Sequence, residues 1–530
     1  MKKRFLSCLT ALALCLTLLP TAALAAENGI TVYSSGHTDH SICGAACSHT
    51  GSNSHENTNF TNWLASDYGT DGKTLVLLAG GPTNTYGNPL EKQRDGYWIL
   101  PAGNYYLKED ITVEHAILIS SKVTVTICLN GKTITGQTAT HNNTTDPVFR
   151  VEKDGKLTLT DCRENRGKVT HTGDKAIYGV PAGVQVLEGG IFNLYGGKIS
   201  GNREAGVYLN DNNAGTFNLY GGEISGNERG VYVGRGGRFN MSGGTIKDHQ
   251  RSKGVDCVGN FKMSDGTISG CGDGVYLHCY EKSNGGGYGY GTFTMTGGTI
   301  TENAYGVALY AYFDKGQVLK RSEFTMTGGA ITGNTQIGVD AGATSNGSTS
   351  PHAAGGTLIV GGTAKIQNNG AKNWCNVFLD EGEIKLASTA FKEGAYIGIT
   401  TPYSSPPTAE KPITIVEGKG GQSDVSGYFH SDNSKYEIQR GDDNAVLLTV
   451  KPHTHKWAYE NVDKSTVSVS CTGEGDCEYK TKATVKISTD RTVYDCTQIK
   501  EAPKAVLTYS DNWPKDLAKA EESAIKYWKS

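Results

Sequence analysis

A pattern of apolar and glycine positions, Phe-x-φ-x-Gly-Gly-x-Ile-x-x-Asn with φ apolar, recurs through the middle of the chain. Near-perfect copies begin at Phe192, Phe217, Phe293 and Phe324, and degenerate copies begin at Phe239 and Phe261. Successive Phe positions are 25, 22, 22, 32 and 31 residues apart. Self-similarity at this period indicates a stacked array of repeats.

Each repeat also contains a third short segment, Gly-Val followed by alternating residues, as in Gly206–Leu209, Gly230–Val233 and Gly274–Leu277. Three alternating segments bounded by Gly or Asn have the period of strands and not of helices. Three strands per repeat predict one coil of a right-handed parallel β-helix, whose coils stack at intervals of about 4.8 Å and share one core. We therefore expect an all-β solenoid.

The repeat predicts which side chains face the core. The inward positions of one coil are Phe192, Leu194, Ile199, Val207 and Leu209. The Gly-Gly pairs supply corner backbone angles that side chains forbid. A column of asparagines is predicted to form a buried amide ladder: Asn202, Asn227, Asn303 and Asn334.

Two cysteines take positions in this scheme. Cys271 occupies the place of a ladder asparagine and Cys257 the place of an inward leucine, so both are predicted to be buried. Of the 13 cysteines, Cys8 and Cys15 precede residue 25, which leaves eleven. The pairs Cys43/Cys47 and Cys471/Cys477 are close enough in sequence to be disulfides in an oxidising compartment.

The first 25 residues have the pattern of a secretory signal peptide. Lys2-Lys3-Arg4 is a basic start, an apolar run extends from 5 to 19, and Ala23-Leu24-Ala25 resembles a cleavage site. A membrane helix is the alternative, but the run is short for one. We expect a secreted or cell-surface protein with no membrane span after cleavage.

Changes in residue pattern divide the rest of the chain. Residues 26–96 are polar and predict an N-terminal cap, which a solenoid needs because its end strands have unpaired edges. Strand patterns assign residues 97–400 to the β-helix, and residues 401–452 to a Pro-rich break with the last solenoid strands. Residues 453–530 predict a small β module with a helical-looking tail.

Composition fits this organisation. The chain has 70 Gly in 530 residues and only 19% charged residues, and the many corners of a solenoid require Gly. A net charge of -3 provides no basic surface for nucleic acid.

Several segments resemble large secreted surface proteins of Gram-positive, gut-type bacteria that contain right-handed β-helix (pectin-lyase-like) domains. They are the Gly-Gly repeats, Leu100-Pro-Ala-Gly-Asn-Tyr-Tyr-Leu, Cys128-Leu-Asn-Gly-Lys-Thr-Ile-Thr-Gly and Asn376-Val-Phe-Leu-Asp-Glu-Gly. The segment from His453-Thr-His-Lys-Trp is similar to Ig-like or β-grasp spacers of such proteins. The resemblance implies a glycan-associated surface protein or adhesin. It implies no activity, because the Gly-His-Gly and paired-Asp signatures of polygalacturonases and the Arg and Asp arrangements of pectate lyases are absent.

The Gly-Val segments place two columns of side chains outside the coils. The column directly after Val contains Tyr208, Tyr232, Asp256, Tyr276, Ala308 and Asp340. The column two residues later contains Asn210, Gly234, Val258, His278, Tyr310 and Gly342. An exposed ladder of Tyr suits sugars, because pyranose faces stack on aromatic rings while hydroxyls take hydrogen bonds. The alternative is that Tyr is simply a good strand former.

Three successive coils are enlarged at one corner. The Gly of Gly-Val lies 11, 9 and 7 residues before the next Phe in the early coils, but 19 and 18 residues before it at Gly274 and Gly306. Stacked loops on a rigid scaffold are where solenoids usually carry function, although tolerated insertions are the alternative. The candidate ligand-binding residues are therefore Tyr208, Tyr232, Tyr276, His278, Tyr280, Tyr288, Tyr290, Tyr310 and Tyr312.

Catalytic candidates are weaker, and they are Asp256, His278, Glu281 and Asp314. Glycoside hydrolysis uses two carboxyl groups about 5 to 9.5 Å apart. Asp256 and Asp340 share a column three coils apart, roughly 14 Å at the strand spacing, and fail that test. Asp256 and His278 could approach as a base and its orienting partner.

The N-terminal segment contains the ligand types of a zinc site in His37, His40, Cys43, Cys47 and His49. Their spacing matches no closed site, and a Cys43–Cys47 disulfide is the alternative. No cofactor is firmly indicated, and calcium or zinc is possible.

These observations predict a monomeric protein that binds a polysaccharide or host glycan through its Tyr-rich lateral face and corner loops, without evident catalysis. A polysaccharide lyase or glycoside hydrolase acting in the same groove is the first alternative. A passive surface stalk is the second.

Overall fold

A computed structural model describes residues 97–510 with gaps, the longest being 282–287, 343–354, 474–482 and 490–504, and a few short strands before residue 97. The predicted signal peptide, most of the polar segment 26–96 and the tail after residue 510 lie outside the described residues. So do the side chains of the N-terminal zinc candidates: His37, His40, Cys43, Cys47 and His49.

One large parallel sheet winds through the chain as three walls, A, B and C, which follow one another in each coil. Wall A consists of Gly103–Tyr106, Thr124–Cys128, Lys156–Thr160, Ile191–Leu194, Thr216–Leu219, the start of Arg238–Lys247 and of Asn260–Ser269, Thr292–Met295, Glu323–Met326, Thr357–Val360 and Glu383–Leu386. Wall B consists of Ile111–Val113, Thr133–Gly136, Lys168–His171, Lys198–Ser200, Glu223–Ser225, the ends of those two long strands, Thr299–Thr301, Ala330–Ile331, Lys365–Ile366, Tyr396–Thr400 and Phe429–Ser431. Wall C consists of Tyr97–Ile99, Ile117–Ile119, Phe149–Val151, Val184–Val186, Val207–Leu209, Val231–Val233, Lys253–Cys257, Asp273–Leu277, Tyr305–Leu309, Ile337–Asp340 and Val377–Phe378.

Equivalent positions of successive repeats pair directly with one another. Phe192 pairs with Phe217, Phe217 with Phe239, and the register continues to Phe324. This parallel pairing of each repeat with the next confirms the predicted all-β parallel β-helix.

The core is a set of identical side chains stacked along the coil axis. Six phenylalanine rings, from Phe192 to Phe324, lie parallel with centroids 4.5 to 5.0 Å apart. All five predicted inward residues, Phe192, Leu194, Ile199, Val207 and Leu209, are fully buried. Burying each such side chain contributes roughly 1.5–3 kcal/mol, so the repeat is stable only as a stack.

The corner between walls A and B depends on the second glycine of each Gly-Gly pair. Gly197 has φ +88° and Gly222 has φ +81°, in the left-handed region that L side chains avoid. A Cβ on Gly222 would also lie 2.7 Å from the carbonyl oxygen of Gly197. The recurrence of Gly at this place is therefore required by the turn.

The asparagine column forms the predicted buried ladder. Asn202 donates from its backbone and its side chain to Oδ1 of Asn227, and Asn303 does the same to Asn334. The ladder extends further than the repeat suggests, because Asn334 donates to Asn369. From there it continues through Asn376 to the carboxylate of Asp432.

Two other residue types interrupt the ladder between Asn227 and Asn303. His249 is buried, with Nδ1 3.0 Å from the carbonyl oxygen of Asn227. Cys271 follows it and accepts its own backbone support from Asn303. Cys271 and Cys257 are both buried, as predicted.

The described chain divides into two compact units, 1–406 with 414–432 and 440–447, and the remainder. Ile413–Val416, Val446–Val450 and Tyr436–Arg440 form a three-stranded sheet. Two 3-10 turns lie at Ser426–Tyr428 and Asp442–Asn444. Near the C-terminus, an antiparallel sheet of Trp457–Asn461, Thr466–Cys471, Ala483–Thr489 and Ala505–Tyr509 packs on Val467, Val469, Ala483 and Val485. This is the small β module; its Ig-like character stays a prediction.

Candidate functional site

The outer surface of wall C brings the predicted columns together and adds a third. Register places Lys253, Asp273 and Tyr305 in one column, three residues before Asp256, Tyr276 and Ala308 respectively. We use "wall C face" for these three columns between Tyr208 and Asp340. Its members are Tyr208, Tyr232, Asp256, Tyr276, Ala308 and Asp340, with Arg229, Lys253, Asp273 and Tyr305 on one side and His278 and Tyr310 on the other.

Asp256 lies at the centre of the wall C face and is 3% exposed. Its Oδ1 is 3.0 Å from Nε2 of His278 on the next coil. Its Oδ2 is 3.2 Å from Nη1 of Arg229, on the preceding coil, and 3.7 Å from Nζ of Lys253. The predicted approach of Asp256 and His278 is therefore present, with two further cations that the sequence argument did not include.

The charge of Asp256 is held by these neighbours. Burial alone would raise the pKa of this carboxyl, but the contact with His278 and the charges of Lys253 and Arg229 outweigh burial and lower the pKa. Arg229 also contacts Glu204 at 3.2 Å, so it bridges two carboxylates. A carboxylate this enclosed orients its neighbours and has little surface left for a ligand.

Two pairs of tyrosine rings flank Asp256 along the coil axis. The rings of Tyr208 and Tyr232 are stacked, with centroids 4.7 Å apart and 23° between planes. The rings of Tyr276 and Tyr310 are also 4.7 Å apart, but tilted by 41°. All four tyrosines are half-buried and not fully exposed, as expected from sequence, because they pack on one another. Burial raises the pKa of Tyr208 and of Tyr276 to about 12.

Cations also lie against these rings. Nζ of Lys253 is 4.0 Å from the ring centroid of Tyr276, and Cζ of Arg229 is 5.4 Å from that of Tyr232. The hydroxyl of Tyr232 is 3.3 Å from both carboxylate oxygens of Asp211. These contacts fix the rings in place, so the tyrosines present a rigid surface.

The far end of the wall C face carries two carboxyls of a different kind. Burial raises the pKa of Asp273 to about 6, with repulsion from Asp256 adding to it against the opposing charge of Lys253. Burial raises the pKa of Asp340 to about 7, with repulsion from Asp273 and Asp380 against a hydrogen bond from the Gly342 amide. Within the described part of the chain, no basic side chain lies at ion-pair distance from either carboxyl.

The enlarged corner forms two β-hairpins directly beside this end of the face. Cys279–Glu281 pairs with Tyr288–Tyr290, and Ala311–Asp314 pairs with Gln317–Arg321. Nζ of Lys320 lies 3.9 Å from the ring centroid of Tyr290, which joins the two hairpins. Tyr290 and Tyr312 are half-buried there. The side chains of Tyr280, Glu281, Tyr288 and Asp314, and most of the third loop, lie outside the described residues.

One outward position differs from expectation. Val258 is 3% exposed, although its column was expected to face solvent. Gly259 directly follows it, and both backbone amides donate to the carbonyl of Val233, so the chain turns sharply there. The turn accounts for the burial of Val258.

The described residues hold no group of three or more His, Cys, Asp or Glu side chains arranged to bind a metal ion. In that same part of the chain, no helix has the length and apolar character needed to cross a bilayer.

Sequence reasoning missed one column of the site. Arg229, Lys253, Asp273 and Tyr305 each directly precede the Gly of a Gly-Val segment or its equivalent, and that constant offset was the available signal. It was passed over because the residue types vary from coil to coil. Comparisons with protein-family models, with curated proteins and with solved structures each find no match.

Proposed function

We propose that this chain is a secreted or cell-surface protein that binds glycan on the wall C face, beside the two corner hairpins. The observation that carries the proposal is the arrangement of two fixed tyrosine pairs on either side of the Asp256 cluster. Rigid aromatic rings with interspersed hydrogen-bonding groups suit carbohydrate, because they supply apolar contact at little cost in side-chain entropy.

The length of the face also supports a polymeric ligand. Tyr232 and Tyr276 are two coils apart, which is about 10 Å at the strand spacing. A polysaccharide lying along the coil axis could therefore contact both tyrosine pairs at once, and weak single contacts would add up.

The test is retention of the full chain on immobilised polysaccharides. Tyr232→Ala, Tyr276→Ala and Tyr310→Ala should each weaken retention severalfold on whichever glycan the wild type binds. Tyr195→Ala is the matched control, because Tyr195 is half-buried and stacks on Tyr220 at 4.5 Å but lies next to wall A. Unchanged retention in all three variants would remove the binding face and leave the passive stalk.

Catalysis on the same face is the second candidate. Two kinds of carboxyl lie near one another: Asp256, whose pKa is lowered, and Asp273 and Asp340, whose pKa values are raised. Such a split is how hydrolases assign a base and an acid. Incubation with polysaccharides followed by mass spectrometry of released oligosaccharides tests it, and products abolished by Asp340→Asn but not by Asp265→Asn would establish an enzyme.

A further inference from the structure

Charges on the wall C face are distributed unevenly along the coil axis. Around Asp256 the carboxylates and cations are paired, because Glu204, Arg229, Lys253 and His278 all belong to one connected cluster. Toward Asp340 the pairing ends. Asp273 and Asp340 lie there with only Lys253 acting on Asp273 from a distance and only a backbone amide donating to Asp340.

The surroundings of Asp340 are acidic or aromatic on every side. Asp273 and Asp380 repel it electrostatically. The tyrosines that sense its charge are Tyr305 and Tyr310. Ala308, directly below Asp340 in the column, carries no polar group. A ligand on this end of the face therefore meets tyrosine rings and carboxyls, and no cation.

From this distribution we infer that the wall C face selects glycans without acidic groups and excludes polyuronates. The inference deepens the proposed function and depends on it. A uronate chain along the face would bring its carboxylates beside Asp273 and Asp340, and like charges at close range oppose binding strongly. Neutral chains avoid this repulsion, and amine-bearing chains gain an attraction to the same carboxyls and to the tyrosine rings.

The cations already on the face do not reverse this preference. Arg229 is shared between Glu204 and Asp256, and Lys253 lies between Asp256 and the ring of Tyr276. Arg235, beside the face, donates its backbone amide to Asp211. Counted with their neighbours, the carboxylates Glu204, Asp211, Asp256, Asp273, Asp340 and Asp380 outnumber the three basic side chains Arg229, Arg235 and Lys253.

The experiment compares retention of the full chain on polygalacturonate, on a neutral xylan and on chitosan at pH 8 and pH 5. The wild type should bind xylan or chitosan and bind polygalacturonate at least about tenfold more weakly at pH 8, the effect of about 1.4 kcal/mol. Acidification protonates Asp273 and Asp340 and should narrow that gap. The double variant Asp273→Asn with Asp340→Asn should bind polygalacturonate severalfold better than wild type at pH 8 and lose the pH effect.

A control variant separates local from overall charge. Asp265→Asn with Asp424→Asn makes the same change in net charge at two carboxyls away from the wall C face, and should leave polygalacturonate binding unchanged. Strong polygalacturonate binding by the wild type at pH 8 would overturn the selectivity alone. Retention on none of the three polymers, with the tyrosine variants equally inert, would overturn the glycan-binding proposal and the selectivity together.

Discussion

The side-chain amide of Asn303 donates a hydrogen bond of 3.0 Å to Oδ1 of Asn334, one coil further along the chain. The backbone amide of Asn303 donates to the same oxygen at 3.1 Å. One buried carbonyl therefore satisfies two donors of the preceding coil, and each coil fixes the position of the next.

Removing one member of this ladder should destabilise the solenoid strongly. Asn334→Ala leaves the two donors of Asn303 and the acceptor of Asn369 without partners in a buried site, which should cost about 3 kcal/mol. Urea denaturation measures the loss. Asn218→Ala is the matched control, because Asn218 lies in a partly buried row on the outside of wall A and should cost about 1 kcal/mol or less. Equal losses at both positions would show that the inner ladder has no special role.

The histidine in the ladder should make stability depend on pH. Burial lowers the pKa of His249 below its ordinary value of 6.5. The unfolded chain then binds a proton more readily than the folded chain does. The contribution of His249 is fully present above about pH 6.5 and is lost as pH falls from there toward the folded-state pKa.

His249→Asn is the variant that tests this. It restores the residue type of the other ladder positions and should flatten the dependence of the unfolding free energy on pH between about 7 and 5. Thermal unfolding measured across that range for both proteins shows whether the slope decreases. An unchanged slope would assign the acid sensitivity to another group.

The phenylalanine stack predicts a large cavity penalty. Phe261 contacts Phe239 on one side and Phe293 on the other, with centroids 4.6 and 4.5 Å away. Phe261→Ala should cost about 3–5 kcal/mol and Phe261→Leu clearly less, because the leucine side chain fills much of the space. Denaturant unfolding of the two variants checks the order. A reversed order would mean that the neighbouring coils collapse into the gap.

The Asp256 cluster should stabilise the wall C face at neutral pH. Asp256→Asn leaves Arg229, Lys253 and His278 without their shared negative charge, and should cost about 1–2 kcal/mol, since both basic side chains keep some contact with water. Because the folded-state pKa of Asp256 is lowered from 3.8, this contribution is present above pH 3.8 and is lost as pH falls through the folded value. Melting temperatures of wild type and variant should therefore converge in acid. Asp265→Asn, at an exposed turn, should show no difference at any pH.

The repeat pattern predicted the core of this protein because position in the repeat decides burial. Phe192, Leu194 and their equivalents recur at fixed offsets, and stacking forces equal offsets into equal environments. The extension of the ladder through Asn369, Asn376 and Asp432 was not predicted. The last coils lack the Phe that marks the others, so their register was not visible from the pattern.

The surface was harder to predict, since neighbouring coils differ there. The Tyr columns were found, but the half-burial of Tyr232 and Tyr276 depends on Arg229 and Lys253 from an adjacent column. The raised pKa values of Asp273 and Asp340 arise from side chains on several coils at once. Such properties depend on three-dimensional neighbours, whose identities the period alone does not specify.

The ladder has a direction, and its last member sets a limit on how this protein can change. Every amide donates toward the C-terminus, and the series ends on Asp432, whose carboxylate accepts from both the backbone and the side chain of Asn376 and has no amide to pass on. Thr400 donates to the same carboxylate. A duplicated coil inserted before Asp432 would continue the series, whereas one added after it would face an acceptor where it needs a donor. Lengthening of this solenoid by duplication is therefore possible only from within.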